Sequence, residues 1–358
     1  MIMPTIAAPR STRLASSEAA AARESSPGKA WAATASARSA GLALGYAADL
    51  VFGDPRRGHP VAVFGSLANA LGTRLRARQG LGRSRAAGVA YTGILVGGSV
   101  ALGLVVERLC ARRPLLRSAS TAVATWAVLG GTSLAGEGRA MARLIGTDDG
   151  DLGPARLRLG HLCSRDATGL DAAGLARAAT ESLAENTSDA VTAPLWWGAI
   201  AGVPGLLGYR AANTLDAMVG YRTPELREFG WASARFDDIV NLVPARVTAA
   251  LTVLLAPVVG GSSREAWRVW RRDAAGHPSP NAGPVEASAA GALGVRLGGE
   301  NTYSGEVEDR GTLGDGPPAG VADLPRAVRL SRAVSHASLL VAVLVAAARG
   351  PIPVRSSR

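Results

Sequence analysis

Three carboxylates spaced four residues apart are the feature of this sequence most suited to chemistry. Glu181, Glu185 and Asp189 are followed by residues 190–209, which carry no charge. Residues three and four apart share a helix face, so the spacing predicts an acidic ladder running into an apolar layer. Ionised carboxylates are costly there unless they are paired or bind a cation. The alternative is a solvated helix face that ends at a membrane surface, and the spacing alone does not separate the two.

Two more polar groups follow at helical spacing. Asn213 and Asp216 lie three residues apart, and Arg235, Asp238 and Asn241 follow at intervals of three. Asp238 and Asn241 offer the hard oxygen ligands that suit Mg²⁺ together with phosphates. The alternative is a structural Arg–Asp pair at a helix end.

A third group is a loop rich in Pro and Gly. It contains His277-Pro278, then Asn281, whose amide could reach a ligand, and Gly298-Gly299, which permits close backbone approach. Taken alone, this loop is more simply interpreted as a structural turn.

The composition indicates a membrane protein with substantial polar loops. Of 358 residues, 47% are hydrophobic and only 19% charged, and the mean hydropathy is +0.16. The net charge of +11 allows nucleic-acid binding, but aromatic residues make up only 4%. Anionic headgroups and phosphorylated substrates explain the charge better, so we expect no nucleic-acid partner. Lys29 is the single lysine and no Gly-Lys-Ser/Thr occurs, so any phosphate must be held by arginine, backbone N–H groups or a metal.

The apolar stretches give the elements that must position these groups: 39–53, 86–106, 118–136, 190–209, 247–261 and 333–348. The stretch 86–106 is long enough to span a membrane, and 118–136 is expected to complete a transmembrane hairpin with it. Pro and Gly interrupt 190–209, while 247–261 is short and contains Pro257. A re-entrant course of both would place all the polar motifs on one face of the membrane, which we expect to be the cytoplasmic face.

The predicted fold class is therefore all-α: a polytopic integral membrane protein with about four to six apolar helices, some of them re-entrant, and polar helical loops. Residues 1–38, rich in Ala, Ser and Arg, are expected to form a disordered extension. Residues 39–348 form the membrane domain and 349–358 a C-terminal tail. Residues 61–79 are expected to be an amphipathic helix.

Several longer motifs resemble one family. They are Glu181–Asp189, Asn213–Tyr221, Phe229–Asp238, Pro244–Arg246, Pro280–Gly283 and Gly291–Gly299, with Asp49–Pro55 and His59-Pro60 before them. Together they resemble the CobD/CbiB family, the membrane-bound adenosylcobinamide-phosphate synthases of cobalamin biosynthesis. The resemblance covers about residues 40–348 and leaves out the N-terminal extension.

The resemblance implies a ligase in the inner (cell) membrane. Its substrates would be adenosylcobyric acid, through a free corrin propionate, and aminopropanol phosphate. Its partners would include the lipid bilayer and other corrin-pathway enzymes. Because a carboxylate and an ammonium do not condense unaided, the reaction implies ATP, Mg²⁺ and an acyl phosphate.

The residue types then suggest separate catalytic, metal-binding and substrate-binding roles. Glu181, Glu185 and Asp189 are the expected catalytic residues, with Glu181 as general base and Glu185, Asp189 and Asp238 holding Mg²⁺. The expected substrate-binding residues are arginines for phosphates or corrin carbonyls and polar side chains that orient amides: Asn186, Arg210, Asn213, Asp216, Arg235, Asn241, Asn281, Arg296 and Asn301.

Two other classes of protein remain open at this point. One is a corrinoid-handling transporter or scaffold without catalysis, in which the acidic ladder and residues 190–209 line a permeation path. The other is a membrane prenyltransferase-like enzyme, suggested by Asp237-Asp238 and Asn241. The second is disfavoured because a second complete aspartate-rich motif is missing from the sequence.

Overall fold

The computed structural model describes residues 27–55, 58–77, 84–146, 150–221, 223–303 and 306–349, with backbone alone for 27–33 and 301–308. Helices form nearly all of this part, as predicted. In chain order they are α1 Pro27–Phe52, α2 Pro60–Ala77, α3 Arg85–Cys110, α4 Pro114–Val128, α5 Gly131–Ile145, α6 Gly153–Leu159, α7 Ala172–Thr187, α8 Ala193–Val219, α9 Trp231–Leu255, α10 Ser263–Asp273, α11 Ala282–Leu293 and α12 Leu324–Ala348. A π-helical turn, Ser188–Thr192, joins α7 to α8.

In the part of the chain that the structure describes, four stretches of helix are long and apolar enough to cross a membrane: Arg85–Cys110, Ala172–Val219, Trp231–Val259 and Val321–Ala348. Helix α3 matches the predicted span 86–106, and its side chains Ile94, Leu102 and Leu109 are exposed. Large apolar side chains left uncovered along a whole helix are typical of a surface that faces lipid. The prediction of a helical membrane protein is confirmed.

The predicted span 118–136 is wrong, because the chain breaks there into α4 and α5. Leu129 is extended, and the N–H of Gly130 leaves the helix to donate to the carbonyl oxygen of Ala190 at 3.2 Å. Asp49 then caps α5 by accepting from the backbone N–H and the hydroxyl of Thr132, at 3.1 and 3.0 Å. A side-chain cap supplied by another helix stabilises a new helix start, which an apolar run cannot reveal.

A short β-hairpin was also not expected. Strand β1, Leu297–Tyr303, pairs antiparallel with β2, Glu306–Leu313. Gly298 has a φ of 77°, and a Cβ on it would lie 2.1 Å from the carbonyl oxygen of Gly311. The hairpin therefore depends on glycine where its strands approach most closely.

Residues 189–213 form a helical hairpin with its tip at Gly202. Gly202 has φ 65° and ψ −143°, which breaks α8. The two arms then run side by side, since a Cβ on Gly205 would lie 2.1 Å from the carbonyl oxygen of Trp197. Residues Asp189–Ala201 form one arm, about 20 Å long at 1.5 Å per residue, which continues directly from α7. The stretch 190–209 therefore turns back, and both ends of the hairpin lie on one side.

Two charged side chains close the tip of this hairpin. The Arg38 guanidinium donates to the carbonyl oxygens of Ala199 and Ile200 at 3.3 and 3.2 Å. Glu107 accepts from the N–H of Val203 at 3.2 Å, and its carboxylate lies 3.8 Å from Arg38. A cation at a helix C-terminus and an anion at an N-terminus satisfy the free backbone groups of both arms.

Because Arg38 belongs to α1, the membrane domain begins earlier than the sequence indicated. Helix α1 starts at Pro27, inside the segment 1–38 that was expected to be disordered. An alanine-rich segment has high helix propensity, and here it also packs against α4, where Ser118 donates to the carbonyl oxygen of Ala37 at 3.0 Å. Residues 1–26 and 350–358 lie outside the described residues.

Candidate active site

Carboxylates from three chain segments line one cavity at the open end of the helical hairpin. The cavity has a volume of about 90 Å³, and its polar lining consists of Glu185, Ser188, Asp189, Asp216, Asp237, Asp238, Asn241, Ser279 and Asn281. We refer to it as the acidic cavity. Polar motifs separated by nearly a hundred residues thus share one cavity. The re-entrant course expected for 247–261 is not found, because Trp231–Val259 is continuous and is long and apolar enough to cross a membrane.

The two arms of the hairpin bring the first carboxylates together. Glu185 lies near the end of α7, and Asp189 lies in the π-helical turn. Asn213 on the opposite arm donates its amide to Asp189 at 3.4 Å, and Asp216 follows one turn later. A π-helical turn inserts extra backbone into a helix and is frequent at functional sites. Here it sets the direction in which Asp189 leaves the helix.

Helix α9 supplies the next two carboxylates. Asn241 donates its amide to Asp237 at 2.9 Å and accepts from the Tyr209 hydroxyl at 2.9 Å. Both side chains of this α9 pair are buried, with Asn241 only 1% exposed. Asp238 is more open and forms an ion pair at 3.5 Å with Arg235, whose side chain is 64% exposed. Tyr209 also lies 3.2 Å from the carbonyl oxygen of Asp189, so it ties α9 to the hairpin.

The loop before α11 closes the cavity. Asn281 donates its amide to the carbonyl oxygen of Asp238 at 2.8 Å and accepts from Arg246 at 2.9 Å. The Ser279 hydroxyl accepts from the backbone N–H groups of Asn281 and Ala282, at 3.3 and 3.1 Å. The loop is therefore held to α9 by side-chain hydrogen bonds.

Five carboxylates around one small cavity require positive charge or protons. Within the described residues, the ion pair of Asp238 with Arg235 is the one salt bridge that reaches these carboxylates. Two polar atoms of the lining, Asp237 Oδ1 and Ser188 Oγ, are buried and have no hydrogen-bond partner among the described residues. Like charges this close cannot all be ionised unless a cation joins them.

The donor set fits Mg²⁺ in chemistry, because it consists of hard oxygen atoms. Among the described residues, however, no three His, Cys, Asp or Glu side chains are arranged to hold a metal ion. Mg²⁺ is usually held by one or two carboxylates, waters and substrate phosphates, and seldom by a cage of protein ligands alone. The cavity is therefore suited to an ion that arrives with a phosphate.

Comparison with known proteins identifies the family. The family profile described as "CobD/Cbib protein" matches residues 42–331, which include every residue of the acidic cavity. The chain belongs to the CobD/CbiB family. It is 53% identical over 322 residues to "Cobalamin biosynthesis protein CobD" of Mycobacterium tuberculosis (strain ATCC 25618 / H37Rv), covering 90% of this chain and 100% of that protein.

More distant relatives carry the same name. The chain is 44% identical over 270 residues to the protein of Geobacter metallireducens, covering 75% of this chain and 83% of the relative. It is 41% identical over 305 residues to a protein of Rhodobacter capsulatus, covering 83% of this chain and 94% of the relative. No solved structure matches the chain. Membership of the CobD/CbiB family places the protein in cobalamin biosynthesis.

Of the predicted ladder, Glu181 is the member that the cavity leaves out. Its side chain is buried, faces Arg165 at 2.5 Å and accepts from the N–H of Gly298 at 2.7 Å. A carboxylate already held by a guanidinium and a backbone donor is poorly placed to accept a proton from substrate. Glu181, the expected general base, therefore has a structural role and lies one helical turn away from Glu185.

Three other predicted residues with described side chains lie apart from the cavity. Asn186 donates to the carbonyl oxygens of Ser182 and Leu162, which ties α7 to the loop before it. Arg210 donates to Asn213 at 3.4 Å and lines a separate, mostly apolar cavity. Arg296 lines another cavity beside the β-hairpin. The side chain of Asn301 lies outside the described residues.

Three residues of the cavity were not proposed from the sequence as site residues: Ser188, Asp237 and Ser279. The sequence could have indicated Asp237, because it stands four residues before Asn241. In the structure the two side chains are hydrogen-bonded. Ser188 and Ser279 carried none, since isolated serines in a helix and in a Pro-rich loop are common. Tyr209 was missed too, because its role depends on contacts across two helices.

A second ionic cluster lies behind the cavity, under the β-hairpin. Glu286 is fully buried, with Arg310 at 3.4 Å and His277 at 3.8 Å. Burial raises the pKa of the Glu286 carboxyl well above its usual value, and the nearby Glu181 adds to this. Burial and the charge of Arg310 lower the pKa of His277 to about 4. His277 is therefore neutral at physiological pH and supports the loop that carries Asn281.

Proposed function

We propose that this protein forms the amide bond between a propionate carboxyl of adenosylcobyric acid and the amine of aminopropanol phosphate, giving adenosylcobinamide phosphate. The proposal is supported by the family's place in cobalamin biosynthesis and carried by one structural observation. That observation is the convergence of carboxylates from the α7–α8 hairpin and α9 with Asn281 around one cavity.

The chemistry requires activation of the carboxylate. A propionate oxygen attacks the γ-phosphorus of ATP, the bond to the β-phosphate oxygen breaks, and ADP leaves with an acyl phosphate formed. The amine then attacks the acyl carbon, the bond to the phosphate oxygen breaks, and inorganic phosphate leaves. The nitrogen loses its extra protons to a base and to solvent. No redox change occurs, and no protein nucleophile is needed.

Mg²⁺, when bound with ATP, would neutralise charge on the phosphates and polarise the phosphorus being attacked. Glu185, Asp189 and Asp238 are the residues that would hold it, because all three line the cavity. Asp189 is already oriented by Asn213, and Asp238 by the position of α9 against Asn281. These residues hold the phosphate end of the reaction in place before the amine arrives.

We assign the role of general base to Asp216 and no longer to Glu181. Asp216 lines the cavity, and no hydrogen bond or ion pair holds its carboxylate within the described residues. A base must reach the proton that it removes and must be free to accept it. The amides of Asn241 and Asn281 lie on the neighbouring wall and hold the Asp237 side chain and the Asp238 backbone in place.

We place this site on the cytoplasmic face of the cell membrane. ATP and corrinoid intermediates are cytoplasmic, and the helical hairpin opens towards the same side as the polar segments. The transporter alternative receives less support, because the backbones of the two arms touch at Gly205 and Trp197. The space between the arms is thus filled by protein where a permeation path would run.

Reconstitution tests the proposal. Purified protein in lipid nanodiscs is incubated with adenosylcobyric acid, aminopropanol phosphate, ATP and Mg²⁺, and the products are separated and weighed by mass spectrometry. We expect one ADP for each amide formed and no amide when ATP or the amine is omitted. A well-folded preparation that forms no amide would remove the proposed reaction and leave a binding or transport role.

A further inference from the structure

A second polar cavity lies between α1, α5 and α12, and no carboxylate of the acidic cavity lines it. Its volume is about 140 Å³, and its polar lining includes Tyr46, Asp49, Arg139, Arg332 and His336. It adjoins the π-helical turn, because the N–H of Gly130 at the start of α5 donates to the carbonyl oxygen of Ala190. We call it the α1–α12 cavity.

The buried wall of this cavity carries a carboxylate, Asp49, of which one oxygen atom accepts hydrogen bonds within the described residues and the other does not. Asp49 is 1% exposed, and its Oδ2 accepts both hydrogen bonds from Thr132. Its other oxygen, Oδ1, is buried and has no hydrogen-bond partner within the described residues. Burying a carboxylate oxygen without a hydrogen bond costs free energy. A ligand that donates a hydrogen bond to Oδ1 would therefore be stabilised in this cavity.

The outer rim carries basic groups without partners. Arg139 and Arg332 are exposed, and neither forms an ion pair or hydrogen bond within the described residues, whereas Arg326 on the same helix as Arg332 pairs with Asp323 at 2.7 Å. His336 holds the Tyr46 hydroxyl at 2.8 Å through Nδ1, which leaves Nε2 available to a ligand. Two guanidinium groups over one cavity suit a phosphate, which they can bind in a bidentate manner.

We propose that the α1–α12 cavity binds a small phosphate ester that carries an ammonium group, with the phosphate on Arg139 and Arg332 and the ammonium on Asp49. The cavity has room for a ligand of this size, since its volume is about 140 Å³. The headgroup of phosphatidylethanolamine has the same chemistry.

Calorimetry on the full-length, delipidated protein in detergent tests the site with three probes: ethanolamine phosphate, ethyl phosphate and ethylamine. We expect ethanolamine phosphate to bind at least about tenfold more tightly than either probe that lacks one charge, as charge-assisted hydrogen bonds predict. Absence of saturable binding of ethanolamine phosphate to the wild-type protein would overturn the proposal.

Four variants assign the two ends of the ligand. Arg139→Gln and Arg332→Gln should each weaken binding about tenfold or more, because each removes a charged donor. Arg329→Gln is the matched control, since Arg329 is exposed on the same helix and does not line the cavity. Asp49→Asn should remove the preference for ethanolamine phosphate over ethyl phosphate. Equal binding by the wild type and a combined Arg139→Gln/Arg332→Gln variant would contradict the assignment even if Asp49→Asn unfolds.

Native mass spectrometry separates the two sources of the ligand. Retention of phosphatidylethanolamine over phosphatidylcholine, lost in Asp49→Asn, supports a lipid headgroup, because choline has no N–H for Asp49. Binding of ethanolamine phosphate without such lipid selectivity supports a free phosphate ester. These experiments contain neither ATP nor corrinoid, so they are decided independently of whether the protein forms an amide.

Discussion

Arg165 Nη2 lies 2.5 Å from Glu181 Oε2, and both side chains are almost completely buried, with 3% and 2% of their surface exposed. The pair lies beside the acidic cavity without lining it. Glu181 and Glu185 stand one helical turn apart and yet have different roles: the first holds the protein together, and the second faces the cavity.

Glu181→Gln should therefore reduce stability and spare the chemistry. Removing one partner of a buried ion pair leaves the other charge uncompensated and costs about 3 kcal/mol or more. We expect a clearly lower thermal midpoint in detergent, with near-normal activity per folded molecule. Glu225→Gln, at an exposed position, is the matched control. An unchanged midpoint with a large loss of activity would return Glu181 to the catalytic machinery.

The difference between these two glutamates shows where prediction from sequence ends. Helical spacing placed Glu185, Asp189, Asp216 and Asp238 in the site, because residues three and four apart share a face. It could not exclude Glu181, since its partner Arg165 lies in a loop whose position depends on tertiary packing. Nor could it show the π-helical turn, which changes the direction of Asp189 relative to the rest of α7.

The long apolar helices of the fold were predictable from the sequence, whereas one helix break and the β-hairpin were not. The lengths of the apolar stretches predicted α3 and α12, and the Pro and Gly residues of 190–209 predicted an interrupted stretch, which the structure has at Gly202. The division of 118–136 into two helices was not predictable, because the cap comes from Asp49 on another helix. The β-hairpin escaped because its register depends on Gly298 and Gly311, whose left-handed conformations are tertiary constraints.

The tip of the helical hairpin gives a truncation test. Deleting residues 2–38 removes Arg38 and leaves the carbonyl oxygens of Ala199 and Ile200 without their donors. Each buried unsatisfied group costs about 1–3 kcal/mol, so this truncation should be strongly destabilised. Arg38→Met in the full chain should lose part of the same stability. A thermal midpoint equal to that of the wild type would argue against a stabilising role for the contacts of Arg38 with the hairpin tip.

Stability should decrease in mild acid because of His277. Its folded pKa of about 4 is below the ordinary value of 6.5, so the unfolded chain binds a proton first as the pH falls. The stability is fully present above pH 6.5 and is lost as the pH falls towards 4. His277→Asn should flatten the dependence of the unfolding free energy on pH in this window. His161→Asn, at an exposed position, serves as the control, and an identical slope for wild type and His277→Asn would contradict the assignment.

A labelling experiment tests the side of the membrane on which the polar motifs lie. In a chain with Cys110 and Cys163 replaced by serine, single cysteines are placed at the exposed positions Asp166, Glu225, Glu300 and Arg112. The first three should react with an impermeant maleimide from the cytoplasmic side only. Arg112 follows the end of α3 that carries Glu107 and the hairpin tip, so it should react from the opposite side. Opposite labelling of Glu225 and Asp166 would show that the motifs do not share a face.

The most direct test of the account is the rate of ATP-dependent amide formation by cavity variants of the reconstituted protein. Glu185→Gln, Asp189→Asn, Asp216→Asn and Asp238→Asn should each lower the rate by about 100-fold or more at an unchanged thermal midpoint, since each removes a charge from the reacting centre. Glu225→Gln and Asp166→Asn, outside the cavity, should keep the wild-type rate. Wild-type rates in all four cavity variants would show that the acidic cavity is not where the amide forms.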